Sequence, residues 1–148
     1  MRKLLASTVA CLSAGLFVSC AHMSHDGSVD KAVAAIRPVA GDVGPAGDAW
    51  LAHEGRYVRI AIRVKGLKPD TAHGVQIDEL GACGSRGPEG VYDPQGHFHA
   101  GPAATIRRLG NLGNIKTDAT GAGELHISID NATLNGQLNP LLGRSITI

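Results

Sequence analysis

Aromatic residues are scarce. One Trp, two Tyr and two Phe in 148 residues cannot build the stacking platforms that hold single-stranded nucleic acids. A surplus of one charge sign is also missing. Lys and Arg number 14 against 13 Asp and Glu, a net charge of +1. Removing Arg2 and Lys3 with the leader described below turns this to −1. Phosphate backbones are held largely by basic excess, so nucleic acid is not an expected partner. Cysteine is too sparse for a disulfide framework: Cys11 lies in the leader, Cys20 at its end, and Cys83 is left alone. Beyond the leader there is no long apolar run and no convincing amphipathic helical period. What is present is glycine, 20 residues, with 7 Pro, the turn-rich composition of all-β domains. Apolar residues at 43% and charged residues at 18% fit a globular fold and argue against wholesale disorder. The length fits one domain.

The first 19 residues read as an export leader. Met1-Arg2-Lys3 is a basic start, and residues 4–18 are apolar apart from Ser7, Thr8 and Ser13. That run is too short to span a bilayer stably and has the form of a signal-peptide core. It ends in Phe17-Val18-Ser19-Cys20, which resembles a bacterial lipobox, in which the Cys is acylated and becomes the mature N-terminus. The resemblance implies a membrane partner through a lipid anchor on Cys20. Ala21 in place of Asp favours the periplasmic face of the outer membrane. Without acylation, ordinary cleavage would release the domain into the periplasm.

Residues 20–32 read as a small, polar tether and residues 33–148 as the folded domain. Strands are expected over 33–39, 50–53, 56–65, 75–78, 114–116, 124–130 and 145–148. The clearest is 56–65, where Val58, Ile60, Ile62 and Val64 share one face and Arg59, Arg63 and Lys65 the other. Leu125, Ile127 and Ile129 repeat the pattern, with His126, Ser128 and Asp130 opposite. Residues 81–101 read as loop. Regular short strands between turn signals imply a sandwich or barrel.

Several segments, in order, resemble the copper/zinc superoxide dismutases. They are Gly66-Leu67 followed by residues 73–83 (HGVQIDELGAC), residues 89–94 (EGVYDP), His99-Ala100-Gly101-Pro102, residues 108–115 (RLGNLGNI), Asp118 to Gly121, and residues 142–147 (LGRSIT). The resemblance implies an all-β Greek-key sandwich or flattened barrel. It places the family's copper histidines at Gln76, Asp78, Val91 and a residue after Ile148. It places the zinc ligands at Val91, His99, Arg108 and Asn111. His99 alone keeps the family's residue. Gln76 and Asp78 share a strand face, but an amide and a carboxylate make a poor redox copper site. Val91 cannot ligate, and Arg108 puts a permanent positive charge where a dication should sit. The family also continues past Ile148 with a loop, a Cys partner for Cys83 and a closing strand. Seven strands with unpaired edges are therefore expected here, open to self-association or a protein partner.

Other residues support weaker metal readings. His97 and His99 could share a face, but two histidines bind weakly, and a solvated loop is the plainer account. His22, Met23 and His25 beside Cys20 suit Cu(I), or simply form a linker. Gln76, Asp78 and Glu79 could keep a hard-cation site, or form a hydrogen-bonded strand face. Arg107-Arg108 reads as a surface pair replacing an ion's charge, His126 as exposed, His73 as structural and bonded to a backbone carbonyl. Trp50 reads as core or strand-edge packing.

These readings converge on an exported, lipid-anchored member of the family that has no cofactor and works as an envelope binding or interaction module. The alternative is a dismutase holding copper or zinc, or another metal, through unorthodox ligands and converting superoxide to oxygen and hydrogen peroxide. A third reading is a truncated, non-functional gene product.

Overall fold

In the computed structural model, which describes residues 27–39, 41, 43–79 and 90–148, seven strands form. They are β1 (Lys31–Ile36), β2 (Ala46–Glu54), β3 (Tyr57–Lys65), β4 (Ala72–Asp78), β5 (Asn111–Lys116), β6 (Gly123–Asp130) and β7 (Ser145–Thr147). One sheet runs β1-β2-β3-β6 and the other β5-β4-β7. Every neighbouring pair is antiparallel. The all-β sandwich expected from alternation is therefore present.

Period two decides what each sheet buries. Val58, Ile60, Ile62 and Val64 of β3 are buried, as are Ala49 and Leu51 of β2. In register, Leu51, Ile60 and Ile127 form one inward row, and Ala49, Ile62 and Leu125 the next. From the second sheet, Val75 and Ile77 of β4 and Leu112 and Ile115 of β5 meet them. Apolar side chains from two facing sheets thus remove one another from water. A bridge between Thr117 and Gly123 joins the sheets on one side. On the other, β1 lies beside β7.

Strand ends differ from expectation in instructive ways. The first strand runs from Lys31 to Ile36 rather than over 33–39, because Pro38 has no N–H to donate to a ladder. The residues before it, expected to be tether, are fastened: the Asp30 carbonyl accepts from His53 N at 2.8 Å and Val29 N donates to Asn135 Oδ1 at 2.8 Å. Ala, Gly and Asp residues hid the length of β2, whose alternation carries little hydrophobic contrast. Trp50 is not core: it is 42% exposed on the outer face of the first sheet, with the Arg63 guanidinium carbon 5.9 Å from its ring centroid. His126 is exposed and pairs with Glu124 at 2.7 Å. His73 Nε2 lies 3.2 Å from the Lys68 carbonyl, the structural role expected of it.

Candidate functional site

The outward face of β4 carries Gln76 and Asp78, while Val75 and Ile77 point into the core. Their partner strands bring further residues to that face. Between Val75 and Gln76 the register with β5 shifts, so that Gln76 pairs with Asn111 and Val75 with Gly113. The skipped residue, Leu112, is fully buried, the expected effect of a bulge that re-aims a side chain. Gly113 makes this bend at φ +99° and leaves room for Pro102, whose Cγ would lie 2.9 Å from an added Cβ. On the other side Gln76 pairs with Thr147.

The result is a pocket of about 440 Å³ lined by Gln76, His99, Asn111, Asn114 and Thr147 among others. Three of the positions where the resemblance expects metal ligands, Gln76, His99 and Asn111, therefore share one cleft. Asp78 and Val91 adjoin it, bridged to each other by backbone. Arg108 does not line it.

Several of the polar groups here are already engaged. Gln76 Nε2 donates to Asp78 Oδ1 at 2.7 Å, and Thr147 Oγ1 donates to Asp78 Oδ2 at 2.9 Å. Both carboxylate oxygens thus accept from neutral groups, as in a hydrogen-bonded strand face. Asn111 is buried and its Nδ2 donates to the Ala100 carbonyl at 3.2 Å. Val91, also buried, has no lone pair to offer. Glu79 turns away to Arg144, 3.1 Å from its Nη1.

The two loop histidines part company. His97 Nδ1 donates to the Arg107 carbonyl at 2.9 Å, whereas His99 is exposed at the pocket. Phe98 between them is 86% exposed. Arg107 and Arg108, expected as a surface pair, are instead half-buried. Arg107 Nη1 donates to the Asn111 carbonyl at 3.1 Å and Arg108 Nε to the His97 carbonyl at 3.2 Å. Each staples its own loop, which supplies carbonyls that need donors. Among the described residues, no three His, Cys, Asp or Glu side chains converge as a metal-holding group. Copper and zinc both need several imidazole, thiolate or carboxylate donors turned to one point. An amide bonded to a carboxylate, a valine, a guanidinium and a second amide, with His99 as the one imidazole among them, do not fit either ion. Cys20, His22, Met23, His25 and Cys83 lie outside the described residues.

Sequence reasoning missed three contributors. Thr147 sits on the outward face of β7, and only cross-strand pairing shows that it reaches Asp78. Arg144 stacks on buried Tyr92, its guanidinium carbon 3.3 Å from the ring centroid, and donates to the carbonyls of Pro140 and Glu79 at 2.8 and 2.7 Å. Asp93 pairs with Arg108 across 4.0 Å. The Gly143-Arg144-Ser145 motif was the signal for the second of these.

A seven-stranded antiparallel sandwich with its cleft on the outer face of one sheet, under a long loop, is the architecture. Residues 45–148 match the model of the copper/zinc superoxide dismutase (SODC) family, and the chain belongs to that family. It is 32% identical over 123 residues to a superoxide dismutase [Cu-Zn] of Paramecium bursaria Chlorella virus 1, covering 82% of this chain and 64% of that protein. It is 32% identical over 130 residues to an extracellular superoxide dismutase [Cu-Zn] of Onchocerca volvulus, covering 84% and 61%. An extracellular superoxide dismutase [Cu-Zn] of Drosophila melanogaster is 32% identical over 98 residues, covering 64% and 52%. The chain thus spans less than two thirds of the length of these relatives.

Proposed function

We propose that this chain is a member of the copper/zinc superoxide dismutase family that does not dismute superoxide, and that it works as an exported, lipid-anchored binding module of the cell envelope. The observation that carries the reading is the closed set of hydrogen bonds from Gln76 and Thr147 to both oxygens of Asp78. Dismutation needs a metal that cycles between two oxidation states, held by donors that keep it through both. Here the donor places hold two amides, a carboxylate already hydrogen-bonded, an apolar side chain, a guanidinium and a single imidazole, that of His99. A fold carried over from enzymes does not carry their activity with it; the site decides. What the cleft offers is polar chemistry from His99 and Asn114, beside the hydrogen-bonded Gln76, Asn111 and Thr147, suited to binding. Export rests on the apolar leader ending at Ser19-Cys20 and is in keeping with relatives named extracellular.

A dismutase assay on the full chain after copper and zinc loading tests the enzymatic half. The expected rate equals that of free metal at the same concentration. Activity that survives desalting and is lost in Asp78→Asn or His99→Ala would overturn the reading. Cell fractionation tests the anchor. Wild type is expected with membranes and Cys20→Ala in the soluble fraction, since acyl chains supply the attachment; equal membrane association of the two would refute it.

A further inference from the structure

Residues 91–110 connect two sheet elements without a strand of their own. A segment of that length in a folded domain needs something to hold it. Short backbone hydrogen bonds supply part of the hold: Gly110 N donates to the Tyr92 carbonyl at 2.8 Å and Asn111 N to the Arg108 carbonyl at 3.1 Å. Side-chain bonds from His97, Arg107 and Asn111 add to it, and so does a charge cluster in which Asp93 faces Arg108 and His97. The Asp93 side chain is 13% exposed and the Arg108 side chain 28%. Arg108 Nε lies 4.0 Å from Asp93 Oδ2 and donates to the His97 carbonyl. Asp93 Oδ1 is shut off from water and, among the described residues, has no hydrogen-bond partner. Among the described residues a second nitrogen lies near it: His97 Nδ1 is 3.9 Å away and already donates to the Arg107 carbonyl. A largely buried carboxylate with an unsatisfied oxygen is tolerable only beside a countercharge. Arg108 supplies one that cannot be deprotonated.

The place of Arg108 in the chain is informative. Arg108 stands where the family resemblance expects a zinc histidine, and Asn111 where it expects the zinc aspartate. Histidine to arginine adds one positive charge, and aspartate to asparagine removes one negative charge. Together they add two positive charges, and Asp93, where the family resemblance expects an asparagine, returns one negative charge, so the charge of Arg108 is matched within the loop itself. We infer that Arg108 is a built-in substitute for a loop-holding metal ion. Its guanidinium neutralises Asp93 and ties down His97, so that residues 91–110 keep their course with no metal bound. The inference rests on the metal-free reading above and adds the group that makes it workable. Arg108 is a positioning residue.

Amide hydrogen exchange on the purified full chain tests it, with Gly96, Gly110 and Asn111 as reporters of the loop and the amides of β3 as reporters of the core. A chelator is expected to change no rate in wild type. Arg108→Gln should speed exchange at the loop reporters about tenfold or more and leave β3 protected. Arg108→Lys, which keeps the charge and loses the fork, should fall between. Should Arg108→Gln not fold, the pair Asp93→Asn with Arg108→Gln serves, because removing both charges leaves no uncompensated carboxylate. That pair is expected to fold and to protect the loop better than Arg108→Gln. Loop protection in Arg108→Gln equal to wild type, or a pair no better than the single variant, would overturn the inference and leave the metal-free reading standing. Wild-type loop protection that a chelator abolishes would instead overturn the metal-free reading itself.

Discussion

Replacing Arg144 by Ala removes a clamp between three separate segments. The guanidinium donates to Pro140 O ahead of β7 and to Glu79 O at the end of β4, and it lies on the ring of Tyr92. Its side chain is only 16% exposed. Hydrogen bonds from a charged group contribute about 1.5–3 kcal/mol each when buried, and a partly desolvated cation over an aromatic ring about 1–2 kcal/mol. The ion pair to Glu79 adds little, because the glutamate is more than half exposed. Glu79 itself is exposed and Pro140 half-buried, so water can take over part of both carbonyl bonds. The contributions also overlap, since one side chain makes them all. The expected loss is therefore about 2–3 kcal/mol, well below the summed maximum. In a domain of this size that lowers the melting temperature by roughly 10 °C. Arg144→Lys should recover less than half, because an ammonium cannot bond two diverging carbonyls and stack on Tyr92 together. Urea unfolding followed by circular dichroism measures both variants. Arg144→Ala within about 0.5 kcal/mol of wild type would refute the clamp.

Gly110→Ala should destabilise by about 2 kcal/mol or more in the same assay, because the new Cβ would sit 2.4 Å from the Ile77 carbonyl oxygen and 3.0 Å from Tyr92 N. Ile60→Ala, at a fully buried position, should cost about 2–5 kcal/mol by cavity formation. Hydrogen bonds from the Thr120 hydroxyl and the Ala122 and Thr120 amides hold the Asp118 carboxyl below the usual carboxylate range. Arg63, and then His126, do the same for Glu124. Both folded values are depressed, so their contribution is complete above the unfolded carboxylate range and is lost as pH falls through the folded values. The urea midpoint of Asp118→Asn/Glu124→Gln should accordingly lie below that of wild type near neutral pH and converge with it as pH falls through the depressed folded values; a gap unchanged with pH would contradict this. Val91→His with Arg108→His and Asn111→Asp returns three zinc donors beside His99. Zinc should raise the melting temperature of this variant and leave wild type unmoved.

The fold was legible where side-chain contrast was strong. Val58 to Val64, alternating with Arg59, Arg63 and Lys65, named both the strand and its buried face. In β2 the same period is written in Ala, Gly and Asp, so its length was not readable. Trp50 shows the limit of composition: alternation places it opposite Ala49 and Leu51, and the exposed outer face follows from that register, not from its hydrophobicity. The shared face of Gln76 and Asp78 was legible from period two alone. Their link to Thr147 was not, because cross-strand pairing depends on which strands become neighbours. Arg107 and Arg108 misled for a related reason. A loop has no period, so its burial depends on what folds over it, and both guanidiniums turned inward to carbonyls that sequence does not locate.

The most direct measurement is the metal content of the full chain, purified without chelator and analysed for copper and zinc. Donors at Gln76, Asp78, Val91, Arg108 and Asn111 that are amide, engaged, apolar or cationic predict far less than one ion per chain, roughly a tenth or below, after exhaustive dialysis. About one tightly held copper or zinc per chain, released when Asp78 or His99 is replaced, would contradict the account at its centre.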